Sequence, residues 1–238
     1  MKLSIIIPAY NEEDRIVHTL TESLAYLARQ PYEAEIRVVS DGSTDQTGKV
    51  VGAFAPPANT RIYFHEYHPN RGKGYAVRYG MLKGAAQVVM FMDADYSVPM
   101  SAVQAGLELI DQGCDIAIAS RAMDGSQISH HQNMAREWSA RIYTLIQNRY
   151  LGMTYPDTQC GFKLFRRPAA QALFSEQRLD SVIFDPEILW LAKRSGFKVE
   201  QFPVQWTHQE DSRIQYDNLR KSLFVFQELF RIRMLHKN

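Results

Sequence analysis

Two aspartates, Asp93 and Asp95, stand at the end of the apolar run "VVMFMDADYSVP", residues 88–99. An unpaired carboxylate is costly to bury, so each must meet a cation, a hydrogen-bond donor or water. The expectation is that both carboxylates reach one metal ion, with the chain bending after Asp93 where the strand ends. Oxygen-only donors of this kind suit Mg²⁺ or Mn²⁺, which keep several waters and share substrate phosphates. A blander reading stands beside it: Asp95 caps the helix that follows, and Asp93 pairs with an arginine.

Other stretches carry compatible chemistry. "NRGKGYAVRYG" sets Arg71 and Lys73 beside glycines at the start of a helix, a natural phosphate site. It is not a dinucleotide fingerprint, because Val77 occupies the third glycine position of G-x-G-x-x-G. A G-x-x-x-x-G-K-[ST] stretch is absent, which argues against a P-loop ATPase or kinase. Asn11-Glu12 and Asp41-Gly42-Ser43 follow the first two apolar runs. In "FDPEILW", Asp185 and Glu187 could supply a general base or a sugar contact, or Asp185 could cap a helix before Pro186. His130 and His131, adjacent in a polar stretch, read as solvated loop residues. Trp138, Trp190 and Trp206 read as packing residues, with Trp206 also suited to a substrate wall.

These groups need a scaffold that brings them to one edge. "LSIIIPAY", "AEIRVVS", "RIYFHEY", "QVVMFMD" and "CDIAIAS" read as buried strands. Helical spacing lies between them, in "EEDRIVHTLTESLAYLAR", "DGSTDQTGKVV", "RGKGYAVRYGMLKGA" and "PMSAVQAGLELIDQG". Such alternation predicts an α/β fold with a mainly parallel sheet covered on both faces. Its ligand belongs beyond the carboxyl ends of the strands, where Pro8–Asn11, Asp41–Ser43, Asp93–Asp95 and Ser120-Arg121 would meet. After Arg121, "AMDGSQISHHQN" reads as a polar loop and "MAREWSARIYTLIQNRYLG" as a helix. "DTQCGFKLFRR" and "FKVEQFPVQW" read as strands around the helix "DPEILWLAKRSG". "THQEDSRIQ" is polar and expected to be mobile. The final segment repeats Leu219, Leu223, Phe226 and Phe230 as one helical stripe, flanked by Arg220, Lys221, Arg231, Arg233 and Lys237. A basic helix with an apolar stripe suits an anionic lipid surface, although it could equally cover the sheet.

Composition sets outer limits. The chain has 238 residues, is 45% hydrophobic and carries a formal net charge of +1. That balance speaks against wholesale nucleic-acid binding. The two cysteines, Cys114 and Cys160, form no Cys-x-x-Cys pair, so neither a disulfide framework nor a zinc site is expected. The N-terminal apolar run is too short for a signal-peptide core, and no stretch approaches the ~18 apolar residues of a membrane span. The expectation is a soluble or peripheral protein of a reducing compartment.

In order along the chain, "IIIPAYNEE", "VVSDGSTDQT", "RGKGYAVRYGM" and "MDADYSVP" resemble the family 2 glycosyltransferases of the GT-A fold. "DTQCGFKLFRR", "FDPEILWLAKRSGFKV" and "PVQWTHQEDSRI" narrow the resemblance to polyprenyl-phosphate sugar transferases, most of all the dolichyl-phosphate β-glucosyltransferases, with the mannose synthases as cousins. The resemblance spans nearly the whole chain. It implies a GT-A domain over residues 1–215, with the amphipathic helix of 216–238 in the same domain or on a membrane. The implied reaction moves a hexose, with inversion, from a nucleotide sugar (UDP-glucose favoured over GDP-mannose) to a polyprenyl phosphate with Mg²⁺ or Mn²⁺. The implied place is the cytoplasmic membrane face, as a peripheral protein. By position, Pro8, Tyr10, Glu12 and Asp41 would frame base and ribose, with Lys73 on phosphate. Asp93 and Asp95 would serve metal and diphosphate, and Arg121, Arg136 and Arg213 would stand near the reacting phosphates, while Asp185 leans toward a functional role. Two departures are plain: Ser97 stands where mannose synthases have Gln, and the membrane spans of many relatives are lacking. The alternatives are transfer to a saccharide or protein hydroxyl, or a silent sugar-nucleotide-binding domain.

Overall fold

In the computed structural model, residues 1–129, 134–207 and 219–237 are described. At 129, 134–138, 140 and 219–222 only the backbone is described. The strands are β1 (Leu3–Ala9), β2 (Ala34–Ser40), β3 (Thr60–Glu66), β4 (Val88–Met92), β5 (Ile116–Ser120), β6 (Gln127–Ser129), β7 (Phe162–Arg166), β8 (Val199–Pro203) and β9 (Gln205–Thr207). The helices are α1 (Arg15–Leu27), α2 (Thr47–Gly52), α3 (Lys73–Lys83), α4 (Val103–Asp111), α5 (Met134–Leu151), α6 (Arg167–Glu176), α7 (Phe184–Arg194) and α8 (Leu219–Leu235).

Seven strands form one sheet in the order β3-β2-β1-β4-β7-β5-β8. β1 pairs in parallel with β2 and β4, β2 with β3, and β5 with β8. β7 runs antiparallel to both β4 and β5, so those two strands point the same way. The expected mainly parallel sheet is present, and β1, β2, β4 and β5 all end at one edge. The strand alternation feeds two cores. Leu3, Ile5, Ile7, Val88, Met90 and Met92 pack with α1 and α4, while Ile6, Val89 and Phe91 pack with α3, α6 and α7. Both faces are covered, which is why these strands read as continuous apolar runs.

Beyond the expected elements lie α6 and β6, the latter pairing with β9 in a small parallel ribbon. The segment "FKVEQFPVQW" divides into β8 and β9. The C-terminal stripe needs correction. α8 buries Val225, Leu229 and Ile232, whereas Leu223 and Phe230 are exposed and Phe226 is half-buried against Tyr143. Three- and four-residue spacing fits more than one stripe in a helix that is apolar on several sides, and burial in the core shared with α7 selected the other one.

Candidate active site at the carboxyl edge of the sheet

Pro8, Tyr10, Glu12, Asp41, Lys73, Asp93 and Asp95 line one cleft of about 360 Å³, together with Arg15, Asn70, Gly72 and Val182. Seven predicted residues therefore come together, in a volume suited to a small-molecule ligand. β4 ends at Met92, and the chain turns at once: Tyr96 takes a positive φ of 56°. That left-handed residue is held by its hydroxyl, which accepts the Met100 N–H, and Thr19 Oγ donates to the Ala94 carbonyl at 2.6 Å. The chain thus bends just after Asp93, as expected.

Lys73 opens α3 and places Nζ 2.6 Å from Asp93 Oδ1. That oxygen is nevertheless buried without a directed hydrogen bond. Asp95 accepts both the N–H and the hydroxyl of Ser97 through Oδ1, leaving Oδ2 outside those contacts. Burial, then the neighbouring Asp93 charge, raise the Asp95 carboxyl above the ordinary aspartate value, with Ser97 opposing. Burial alone would lower the Lys73 ammonium, but Asp93, Asp185 and Asp95 together hold it above the usual lysine range. Around Asp93 and Asp95 an excess of carboxylate thus faces the cleft, with Lys73 to offset it. The donor set fits a hard divalent cation: two aspartates within one cleft, with no nitrogen or sulfur ligand beside them. Among the described residues, no cluster of three or more His, Cys, Asp or Glu could hold a metal by itself. The remaining ligands would come from water and substrate. Part of the blander reading also holds, since Asp95 caps its own turn and Asp93 pairs with a cation, although that cation is lysine.

Asp41, expected to read a base or ribose, is buried, and its two oxygens accept the Arg71 and Gly72 N–H groups, each at 2.8 Å. It lines the cleft while anchoring the loop that leads into α3. Glu12 grips Arg15 through two bonds at 2.6 and 2.7 Å, and Tyr10 is exposed at the cleft mouth.

Arg121 follows β5 and makes a forked pair with Asp157, Nε to Oδ2 at 2.7 Å and Nη2 to Oδ1 at 2.9 Å. The Arg121 guanidinium also lies over the Trp206 ring, 5.4 Å from its centroid. Burial works against ionisation of both partners, yet their mutual attraction holds Arg121 above and Asp157 below their ordinary values. Asp185 does not face the cleft as a base. It is buried and pairs with Lys163 at 2.5 Å, and Lys163 also donates to the Cys160 carbonyl at 2.6 Å. Burial raises the Asp185 carboxyl, with Lys163 and Lys73 opposing. Its place is that of an internal counterion below the site. Arg136 falls on α5 with its side chain outside those described, and Arg213, His130 and His131 lie outside the described residues.

Sequence reasoning missed Asp157, Lys163 and Gly161. A Cβ on Gly161, just before β7, would overlap the Asp93 carboxylate and push it from its place. Lys163 had a signal: a lysine in the middle of "FKLFR", within a sheet covered on both faces, must find a buried partner.

The sequence profile described as "Glycosyl transferase family 2" matches residues 4–174. A dolichyl-phosphate β-glucosyltransferase of Trichomonas vaginalis is 32% identical over 250 aligned positions, covering 99% of this chain and 74% of that protein. One from Drosophila melanogaster is 33% identical, covering 90% and 69%. Among solved structures, glucosyl-3-phosphoglycerate synthase of Mycobacterium tuberculosis, crystallised with Mn²⁺, UDP and glucosyl-3-phosphoglycerate, superposes with a TM-score of 0.69 at 18% identity. That match covers 97% of this chain and 79% of the other.

Replacing Asp157 with Asn leaves Arg121 without its counter-charge and should destabilise the protein by about 2–4 kcal/mol at pH 7, measured by urea unfolding. Because the folded-state value of Asp157 lies below the ordinary ~4, the pair's contribution is present above that pH. It fades as pH falls through the lower folded value, so the gap between wild type and Asp157→Asn should narrow as the solution is acidified below the ordinary aspartate range. A gap independent of pH would show that the pair does not titrate as described.

Proposed function

The chain belongs to glycosyl transferase family 2, and from that premise we propose that it transfers a hexose, glucose foremost, from a nucleoside-diphosphate sugar to a polyprenyl phosphate such as dolichyl phosphate. It is a glycosyltransferase of GT-A fold; the donor and acceptor are the proposed part. The observation that carries the reading is the meeting of Asp93, Asp95 and Lys73 in one cleft on a chain whose relatives are dolichyl-phosphate β-glucosyltransferases. UDP-glucose fits those relatives, with GDP-mannose as the other donor to test.

Asp93 and Asp95 would hold Mg²⁺ or Mn²⁺. When bound, the ion offsets charge developing on the leaving diphosphate. Lys73, at the N-terminus of α3, supplies a point charge for the same phosphates, where helix N–H groups add to it. Asp41 keeps the 70–72 loop seated so that Lys73 points toward Asp93. Arg121, held flat by Asp157 and Trp206, presents a planar cation to the acceptor phosphate, and Arg136 and Arg213 complete the set. A phosphate monoester with a second pKa near ~6 is already a dianion at neutral pH, so attack needs orientation and charge compensation rather than a base. Burial of Asp185 agrees with this, because a hydroxyl acceptor would call for an accessible carboxylate. Direct attack from the side opposite the diphosphate inverts the anomeric centre.

A lipid-linked acceptor has to be met at a membrane. No helix among the described residues is long and apolar enough to cross one. α5 and α8 pack together through Tyr150 and Phe230, ring centroids 4.9 Å apart, and expose Ile142, Leu145, Leu223, Phe224, Phe230 and Met234. Arg141, Arg231, Arg233 and Lys237 are exposed around them. This apolar face with a basic rim suits peripheral attachment to the cytoplasmic leaflet.

Purified protein given Mn²⁺, a short polyprenyl phosphate and UDP-glucose or GDP-mannose should yield a lipid-linked hexose detectable by mass spectrometry. Asp95→Asn should fold normally and lose at least ~10²-fold in turnover, the scale of a removed transition-state contact. Transfer to free saccharides but never to the lipid phosphate would overturn the acceptor. In flotation assays with anionic vesicles, the double variant Leu145→Ser, Phe230→Ser should bind roughly tenfold more weakly, each side chain surrendering apolar burial. Undiminished binding would place the membrane contact elsewhere.

A further inference from the structure

The cleft has a wall whose support lies far from the chemistry. Residues 177–183 form an irregular strap between α6 and α7, and Val182 within it lines the cleft. The strap lies on the first turn of α3, the turn that carries Lys73. A Cβ on Gly72 would strike the Asp180 carbonyl, and one on Gly74 would come within 2.6 Å of the Leu179 carbonyl and 2.7 Å of that of Ser181. Gln177 Nε2 donates to the Gly74 carbonyl at 2.9 Å, and Tyr75 N–H to the Asp180 carbonyl at 3.3 Å. Arg78 reaches both the Gln177 carbonyl and the Asp180 carboxylate. The strap and the Lys73 turn therefore move as one body or not at all.

The outer side of the strap is fastened by the last helix. Glu187, fully buried on α7, accepts the Arg178 N–H at 2.8 Å and the Leu179 N–H at 2.9 Å. Its remaining close partner is His236, just past α8, with Nε2 at 2.6 Å from Oε1. A carboxylate only accepts, so His236 carries the proton on Nε2. His236 is fixed in turn by Trp190, 5.6 Å between ring centroids, and by Arg194, which donates to its carbonyl at 3.2 Å. A second fastening lies two turns back along α8, where Ser181 Oγ donates to Glu228 Oε2 at 2.8 Å and Arg231 pairs with the other Glu228 oxygen. Glu228 is itself buried.

We infer that His236 and Glu228 are positioning residues for the donor cleft: through Glu187 and Ser181 they hold the 177–183 strap, and through the strap they set the Lys73 turn opposite Asp93. Neither touches the cleft. α8 is then more than a cover for the second core, because its two polar contacts fix the donor-side wall. The inference rests on the reading of this cleft as a nucleoside-diphosphate site.

The test uses the full chain, with His236→Ala, His236→Gln and Ser181→Ala. Hydrogen exchange should quicken at the Arg178, Leu179 and Tyr75 amides in His236→Ala, with the β4 and β5 amides unchanged. Affinity for UDP in the presence of Mn²⁺, by calorimetry, should fall roughly three- to tenfold, the scale of one lost hydrogen bond. His236→Gln, which keeps a donor, should recover most of both losses. Ser181→Ala, which leaves the C-terminus intact, should reproduce the exchange effect at its own end of the strap. Wild-type exchange rates at these amides in both His236→Ala and Ser181→Ala would overturn the inference. So would UDP affinity that is unaltered while the strap loosens. Failure of wild type to bind UDP would count against the donor reading alone, since the exchange result decides the clamp without it.

Discussion

Everything at the carboxyl edge of the sheet turns on the ion pair between Lys73 and Asp93. Asp93 is set by the end of β4 and by the absence of a side chain at Gly161; Lys73 is set by the start of α3. Their 2.6 Å approach closes the gap between the end of β4 and the first turn of α3. Asp95 brings a second carboxylate into the same space, and burial next to Asp93 disfavours its ionisation. A single lysine is insufficient compensation for two carboxylates, which is the electrostatic reason this cleft suits a divalent cation and a phosphate together.

Two further buried pairs keep that arrangement in place. Lys163 and Asp185 join β7 to α7 beneath the cleft, and Arg121 and Asp157 join the end of β5 to the chain before β7. Buried pairs of this kind seldom add stability over apolar packing, but losing one partner strands a charge. Their service is geometric. Lys163 fixes the antiparallel strand that carries Gly161 to Asp93, and Asp157 holds the Arg121 fork in one orientation over Trp206. The same economy appears in α8, which exposes Leu223, Phe224, Phe230 and Met234 while its buried side and C-terminal end hold the strap.

The sheet edge was legible because each site residue sits where an apolar run breaks. Ala9 to Tyr10, Ser40 to Asp41, Met92 to Asp93 and Ser120 to Arg121 are all such breaks, and parallel strands bring breaks to one side. Less legible were features that depend on long-range pairing. The antiparallel insertion of β7 between β4 and β5 leaves no trace in a strand buried on both faces. Asp157 and Lys163 stand in quoted stretches, yet their partners are 36 and 22 residues away. Asp41 was placed at the right edge, but its hold on the Arg71 and Gly72 amides depends on a loop from β3 folding back over β2. In α8, Val225, Leu229 and Ile232 are buried in the core shared with α7, while Phe226 and Phe230 meet Tyr143 and Tyr150 on α5, and no pattern within α8 reveals either partner.

If Lys73 and a divalent cation compensate the same carboxylates, they must compete for them when no nucleotide is present. The direct measurement is Mn²⁺ affinity of the nucleotide-free protein, by calorimetry or electron paramagnetic resonance, for wild type and Lys73→Met. Removing the ammonium beside Asp93 should tighten Mn²⁺ binding by roughly tenfold, since a like charge a few ångströms away no longer repels the ion. The same variant should bind UDP more weakly once Mn²⁺ is present, having lost its phosphate contact. Mn²⁺ affinity that is equal or lower in Lys73→Met would show that the ion does not sit at Asp93 and Asp95, and that the cleft is not organised around their charge.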